Sequence, residues 1–371
     1  MKKYTKFLVS LFAGAMVLTS CLSSDDNWEY REVIVSDGLF VINEGNYSSK
    51  IDGSMDFISY ATNTLSVNRN VFEQVNGRSL GGTPNHAIRC GSKMYIATTD
   101  ENRVEVLDAM TLKALTPVTI TAPRELCTDG EFVYVSSYTG EVSKVDTASL
   151  TIAAKSQVVG TNLEGIAHRD GSIYVCNAWN IDYTFNTNLV KLSAATLAKE
   201  KDITVVANPN QLIADGDKLF LASWGNYGDI PATIQRIDQN DQVTKLANAT
   251  HMALGKNGLL YLISSTYDEN WNLTNSYAVL NLATGEEFPF IDGKEIDDPC
   301  TIGVDPISGY VFIASRKKYP NADGVPTVSY TQDGYVACYT ANGNYVTRID
   351  CGVNPGTLLF VSHKEVLPFQ K

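Results

Sequence analysis

Short apolar runs recur behind tight turns along this chain, and their spacing predicts its elements. Asp170-Gly171 leads through Ser172 into Ile173-Tyr174-Val175-Cys176. Asp-Gly supplies the positive φ angles of a two-residue hairpin turn, and a short β-branched and aromatic run after it predicts a strand. The phrase returns at Leu39-Phe40-Val41-Ile42, Met94-Tyr95-Ile96-Ala97, Phe132-Val133-Tyr134-Val135, Leu219-Phe220-Leu221-Ala222, Leu259-Leu260-Tyr261-Leu262 and Tyr310-Val311-Phe312-Ile313. The aligned aromatics Phe40, Tyr95, Tyr134, Tyr174, Phe220, Tyr261 and Phe312 lie 55, 39, 40, 46, 41 and 51 residues apart. An all-β period of about 40–45 residues predicts propeller blades, with the larger gaps as loop insertions.

A second phrase precedes most of these turns, as in Thr83-Pro84-Asn85-His86, Ala122-Pro123-Arg124-Glu125 and Asn208-Pro209-Asn210-Gln211. Small residues suit a crowded innermost strand, and Pro fits a strand start, where no ladder donor is needed. Arg103-Val104-Glu105-Val106-Leu107-Asp108 and Glu141-Val142-Ser143-Lys144-Val145-Asp146 alternate with period two, as half-buried outer strands do. The last innermost-strand phrase, residues 354–361, has no second strand after it, and residues 39–42 have no innermost strand before them. Pairing 354–361 with 37–43 closes a ring and leaves no open sheet edge. The expected fold is therefore all-β: a seven-bladed β-propeller of four-stranded antiparallel blades over residues 37–371, closed by its N- and C-terminal strands.

Lys2, Lys3 and Lys6 precede an apolar stretch over residues 7–18. It is shorter than the roughly 20 residues that span a bilayer and suits a signal peptide. The stretch ends Leu18-Thr19-Ser20-Cys21, which resembles the lipobox of bacterial lipoproteins. Residues 1–20 are then a signal peptide, Cys21 the lipidation site and 21–36 an acidic tether; an ordinary secretory signal with a chance cysteine is the alternative. The run Ser23-Ser24-Asp25-Asp26 resembles the surface-export signal of Bacteroidetes lipoproteins, and a plain solvated tether is the other reading.

A formal net charge of −12 argues against a nucleic-acid partner, because such binding rests on clustered Lys and Arg. Besides Cys21 the chain has Cys90, Cys127, Cys176, Cys300, Cys338 and Cys351, with no C-x-x-C spacing, so a structural zinc site is not expected. They read as mostly buried thiols, with Cys338 and Cys351 the pair to test for a disulfide.

The turn after the second strand is short in blade three (136–140). It is long in blades one (43–55), four (177–188), five (223–233), six (265–276) and seven (315–334). In an antiparallel blade these loops share a face with the starts of the innermost strands. They carry aromatics interleaved with asparagines, a mixture suited to a large ligand with apolar faces and amide or hydroxyl edges. The alternative is that the aromatics only stiffen the rim. The expected ligand-binding residues are Asn43, Asn46, Asn177, Trp179, Trp224, Asn226, Tyr227, Tyr267, Asn270 and Trp271 from the loops. His86 and His251 join them from the innermost-strand starts, where a structural role is the competing reading. Tyr138, on the short loop, is expected to matter less.

Catalytic signatures are poor, with four histidines and neither Gly-x-Ser-x-Gly nor His-Glu-x-x-His. Glu44, Glu125 and Glu164 fall near the expected axis and could hold Ca²⁺ with asparagines, but the sequence does not fix such a set. The chain is expected to bind rather than catalyse, without a cofactor, catalytic residues or metal ligands of its own.

Residues 37–361 resemble the YncE-like propellers of exported bacterial proteins. The opening Gly38-Leu39-Phe40-Val41-Ile42-Asn43-Glu44-Gly45-Asn46 is similar to a DUF5074-type start in Bacteroidetes lipoproteins. With the lipobox and the acidic tether, the whole chain resembles the BtuG-type surface lipoproteins. That resemblance implies an outer-membrane protein that faces the cell exterior and is held by its lipid alone. It implies capture of cobalamin (vitamin B12) or another corrinoid, as transported ligand, and handover to a TonB-dependent outer-membrane transporter. A propeller enzyme such as a metal-dependent lactonase, and a protein-docking scaffold, remain the alternatives.

Overall fold

The computed structural model describes residues 28–60, 65–267 and 273–370. The signal peptide and Cys21 lie outside these residues, as do Asn270 and Trp271. The described residues form seven four-stranded antiparallel sheets and one two-stranded hairpin. The fold is a multi-bladed β-propeller, and the sheets are called blades one to seven in chain order.

Blade four shows how the sequence builds the unit. Its innermost strand Asn162–Arg169 turns at Asp170 (φ 48°) and Gly171 (φ 74°) into Ser172–Trp179, followed by Phe185–Ser193 and Lys199–Thr204. Both turn residues take the positive φ that the Asp-Gly pair predicts. The second strand is apolar on both faces because each face meets a different neighbour. Ile173 and Val175 pack with Tyr134 of blade three, whereas Tyr174 and Cys176 pack with Leu219 and Leu221 of blade five. The period of two is present, but both phases are buried, so it reads as one continuous run.

Seven such hydrophobic clusters each join one pair of successive blades, and the cycle closes where Phe312 of blade seven meets Leu39 and Val41 of blade one. Blade one is split between the termini. Its innermost strand is the start of Pro355–Gln370, paired with Trp28–Asn43 in the register Leu39↔Phe360, Phe40↔Leu359, Val41↔Leu358. The pairing runs past the ring as a ribbon, from Ser36↔Ser362 to Trp28↔Gln370. Residues 28–36 are therefore strand, not the end of a tether.

Two insertions differ from expectation. The long blade-one gap contains a short helix, Val71–Asn76, whose Val71 and Phe72 pack into the cluster between blades one and two. The blade-seven loop contains the two-stranded hairpin Lys318–Pro320 and Pro326–Val328. The six cysteines Cys90, Cys127, Cys176, Cys300, Cys338 and Cys351 are free thiols. Cys338 pairs with Thr347 while Asp350 lies opposite Tyr335, so Cys351 sits about four residues along the ladder from Cys338. At about 3.3 Å per residue that is far beyond the reach of a disulfide, and the proposed pair is ruled out by register.

Candidate functional site

The innermost strands begin at the face that carries the insertions: Asn162 pairs with Trp179, Pro209 with Ser223, and Asp298 with Arg316. At this end a register irregularity recurs. It falls between Pro84 and His86, Pro123 and Leu126, Leu163 and Ile166, Pro209 and Gln211, and Pro299 and Thr301. A bulge leaves its extra residue out of the ladder and re-aims the side chain. The extra residues here are Asn85, Arg124 with Glu125, Glu164, Asn210 and Cys300, and all of them line one cavity of about 1180 Å³. The blade-six strand His251–Leu254 pairs without a shift, and His251 reaches the cavity from its first position.

The cavity has two kinds of wall. On the charged side, Arg124 donates from Nε to Glu164 Oε2 at 3.0 Å, bonds Asn85, and lies 4.5 Å over the Tyr138 ring. The Tyr138 hydroxyl donates to Glu164 Oε1 at 2.7 Å. Arg316 pairs with Asp298 and donates to Asn354 Oδ1 at 3.2 Å. Burial raises the Glu44 carboxyl, against the pull of both arginines. Burial, aided by the Glu164 charge and opposed by Arg124, pushes Glu125 up to about 8. On the other side lie Leu212, Ile213, Trp224, Ile230 and Pro231. Trp224 is fixed by its indole N–H, which donates to the Thr250 carbonyl at 3.0 Å.

At the rim, Tyr138 meets Trp179 edge-on at 5.8 Å, and Trp179 stacks parallel on Tyr183 at 5.8 Å. Tyr183 and Tyr227 stand largely exposed with φ of 63° and 56°. Aromatic residues rarely adopt this left-handed conformation, and such strain concentrates at functional sites.

Of the residues expected from sequence, His86, Trp179, Trp224, Tyr227 and His251 line the cavity. Four asparagines do not. Asn43 is buried and donates to Ser54 and Asp56 at 3.0 Å. Asn177 is buried and ties Thr161 N to Asn188. Asn46 accepts from Ser49 N at 2.8 Å, and Asn226 from Gly228 N and Ile230 N. Short amide side chains at strand ends satisfy neighbouring polar groups first, so these four hold the strand ends and loops in place. Tyr267 ends the second strand of blade six, and its side chain, like Asn270 and Trp271, lies outside the described residues. Tyr138 is in the cavity wall, contrary to its expected minor place.

Sequence reading missed Arg124 and Arg316 altogether. The signal was present for Arg124, which follows a strand-start Pro as Asn85, Asn210 and Cys300 do, each marking a bulge. Among the described residues no three His, Cys, Asp or Glu side chains converge as they would around an ion. Glu164 and Asp298 instead pair with Arg124 and Arg316. Burial lowers both His86 and His251 to about 4, for His251 with help from the Arg316 charge.

The fold is shared with solved structures of low sequence identity. A quinoprotein alcohol dehydrogenase-like protein from Bacteroides thetaiotaomicron superposes with a TM-score of 0.64 at 14% identity, over 90% of this chain and 85% of that one. Hydrazine synthase from Kuenenia stuttgartiensis gives a TM-score of 0.57 at 17% identity, over 73% of this chain and 88% of that one. No curated protein sequence matches the chain. A family described as a domain of unknown function, DUF5074, matches residues 37–245, which is more than half of the chain, and the protein belongs to that family.

Proposed function

We propose that this propeller is a binding protein of the outer cell surface, held by a lipid on Cys21. In this reading it takes cobalamin or a related corrinoid into the axial cavity and passes it to a TonB-dependent outer-membrane transporter. The observation that carries the reading is the cavity. At about 1180 Å³ it exceeds the usual range of about 300–1,000 Å³ for small-molecule sites, and it sets an apolar wall against a hydrogen-bonding one. A bulky ligand with flat apolar faces and peripheral amides fits that division. Trp224 and Trp179 offer the flat contacts, and Asn210 and Gln211 the amide partners.

The test is titration calorimetry with cobalamin. Trp224→Ala should weaken binding at least about tenfold with little change in melting temperature, since a buried aromatic anchor is worth about 2 kcal/mol or more. Tyr47→Ala is the control, because Tyr47 is exposed and outside the cavity wall. No heat with the wild-type protein ends the corrinoid reading.

One observation favours a second reading, an enzyme. Glu125 has its pKa pushed up to about 8 inside a cavity, and a carboxyl so perturbed is suited to acid–base catalysis near neutral pH. A turnover lost in Glu125→Gln with ligand binding retained would select it.

A further inference from the structure

Two histidines face the cavity from blades two and six, three blades apart in one direction around the ring and four in the other, so they come from opposing walls. Their hydrogen bonds differ in sense. His86 Nδ1 accepts the backbone N–H of Leu126 at 3.1 Å. A nitrogen that accepts carries no proton, so the neutral ring holds its hydrogen on Nε2. His251 Nδ1 lies 3.0 Å from the Thr250 hydroxyl. That hydroxyl has one proton and donates it to the Ile263 carbonyl at 2.9 Å, while accepting Ser265 N–H at 3.3 Å. With that proton on the Ile263 carbonyl, Nδ1 is the donor to Thr250, which leaves the lone pair of His251 on Nε2. Neither Nε2 has a hydrogen-bond partner among the described residues. Trp224, 6.1 Å from the His251 ring, helps to fix its plane.

We propose that His251 presents an unprotonated Nε2 to the cavity and binds the metal centre of a ligand there, whereas His86 presents Nε2–H and acts only as a hydrogen-bond donor. The coordination step is a ligand exchange. The Nε2 lone pair forms the new dative bond, a labile water leaves the metal, and no oxidation state changes. His86 cannot do the same, because freeing its Nε2 lone pair would put a proton on Nδ1 against Leu126 N–H. The cavity thus takes a ligand with an acceptor toward blade two and an open coordination position, or failing that an N–H or O–H donor, toward blade six. The metal half of this statement rests on the corrinoid reading; the assignment of the two rings does not.

The assignment is tested on the ligand-free protein by long-range ¹⁵N–¹H NMR of histidine-labelled material, with His86→Gln and His251→Gln identifying the signals. His251 should be the Nδ1–H form and His86 the Nε2–H form. An Nε2–H proton on His251 overturns the proposal. The second arm compares aquocobalamin, whose axial water exchanges, with dicyanocobinamide, whose axial positions are filled. Aquocobalamin should shift its visible band on binding. His251→Gln should abolish that shift and weaken this ligand at least about tenfold, leaving dicyanocobinamide nearly unchanged. His86→Gln should weaken both ligands alike and keep the shift. A shift that survives in His251→Gln, or vanishes in His86→Gln, refutes coordination by His251. Equal weakening of both ligands by His251→Gln, with no shift in the wild type, would keep Nε2 as an acceptor and make its partner a donor group, not the metal. If neither corrinoid binds the wild type, the proposed function fails, and the NMR result still decides the two rings.

Discussion

Asp241 closes the seam between blades four and five, and its removal tests how charge holds the ring together. It lies on the loop after Thr233–Ile237 and receives Arg169 Nη2 at 2.8 Å, Tyr174 Oη at 2.8 Å, Lys191 Nζ at 3.1 Å and Lys201 Nζ at 2.7 Å. Asp241 and Arg169 are both buried, at 8% and 4% exposure. Asp241→Asn keeps the shape and removes the charge, leaving the Arg169 guanidinium buried beside a neutral amide. Breaking a buried pair from one side costs about 3–5 kcal/mol. With an unfolding entropy of about 0.7 kcal/mol/K for a chain of this size, that lowers Tm by about 4–7 °C. Burial alone would raise the Asp241 pKa. The lysines and the Tyr174 hydroxyl outweigh it and hold the group at about 2, below its ordinary 3.8. A depressed acid contributes stability above its unfolded pKa and loses it as pH falls through the folded one. The drop to about 2 corresponds to about 2–2.5 kcal/mol, present in full at pH 7 and lost on acidification from about pH 4 toward pH 2. Urea unfolding of both proteins at pH 7, 5, 4 and 3 is the assay. The gap should be widest at pH 7 and begin to close below pH 4. A gap under about 1 kcal/mol at pH 7 would mean that water or Tyr174 satisfies Arg169 as well as the carboxylate does. A gap independent of pH would remove Asp241 as the titrating group.

Ending the chain before Asn354 removes the innermost strand of blade one and should abolish cooperative unfolding, as read by circular dichroism; an unchanged transition would show that closure is dispensable. Asn210→Trp projects from a bulge into the cavity and should block cobalamin by at least about tenfold in calorimetry while leaving Tm unchanged; equal loss of stability would place Asn210 in the packing. All of Cys90, Cys127, Cys176, Cys300, Cys338 and Cys351 should react with a thiol reagent in denaturant without prior reduction.

The blades were legible in sequence because turn and strand signals coincide at a fixed spacing. Asp170-Gly171 sets the turn chemistry, and Tyr174 marks the second strand by following that turn at a fixed distance. Closure was legible from what the two ends lacked. The asparagines of the rim were not legible. Asn43 and Asn226 have the same composition and loop placement as a ligand-contacting amide, and only the positions of Asp56 and Ile230 show that their bonds are already taken. The emphasis on loops also hid Arg124, which stands in an innermost strand. Its role depends on Glu164, 40 residues away on the next blade, and no local pattern reports that distance. The ribbon formed by 28–36 with 362–370 was hidden by the polar residues it carries, such as Glu32 opposite Val366 and Val33 opposite Glu365.

Placement of the cavity residues on bulges separates the residues that line the cavity from those that hold the ring. The clusters that hold the ring use the second strands and the middle of the innermost ones, as with Ala167, Tyr174 and Leu212 between blades four and five. The bulged residue of each innermost strand takes no part in its ladder and belongs to none of these clusters. A change at Asn85, Arg124, Glu164, Asn210 or Cys300 therefore alters the wall of the cavity one blade at a time while leaving the inter-blade packing in place. Asn85, Arg124 and Glu164 are the exception within the set, because Arg124 of blade three bonds Asn85 of blade two and Glu164 of blade four and so couples wall chemistry to ring geometry. Under the proposed function, recognition would rest on these bulge positions plus His251, on the one innermost strand that pairs without a bulge.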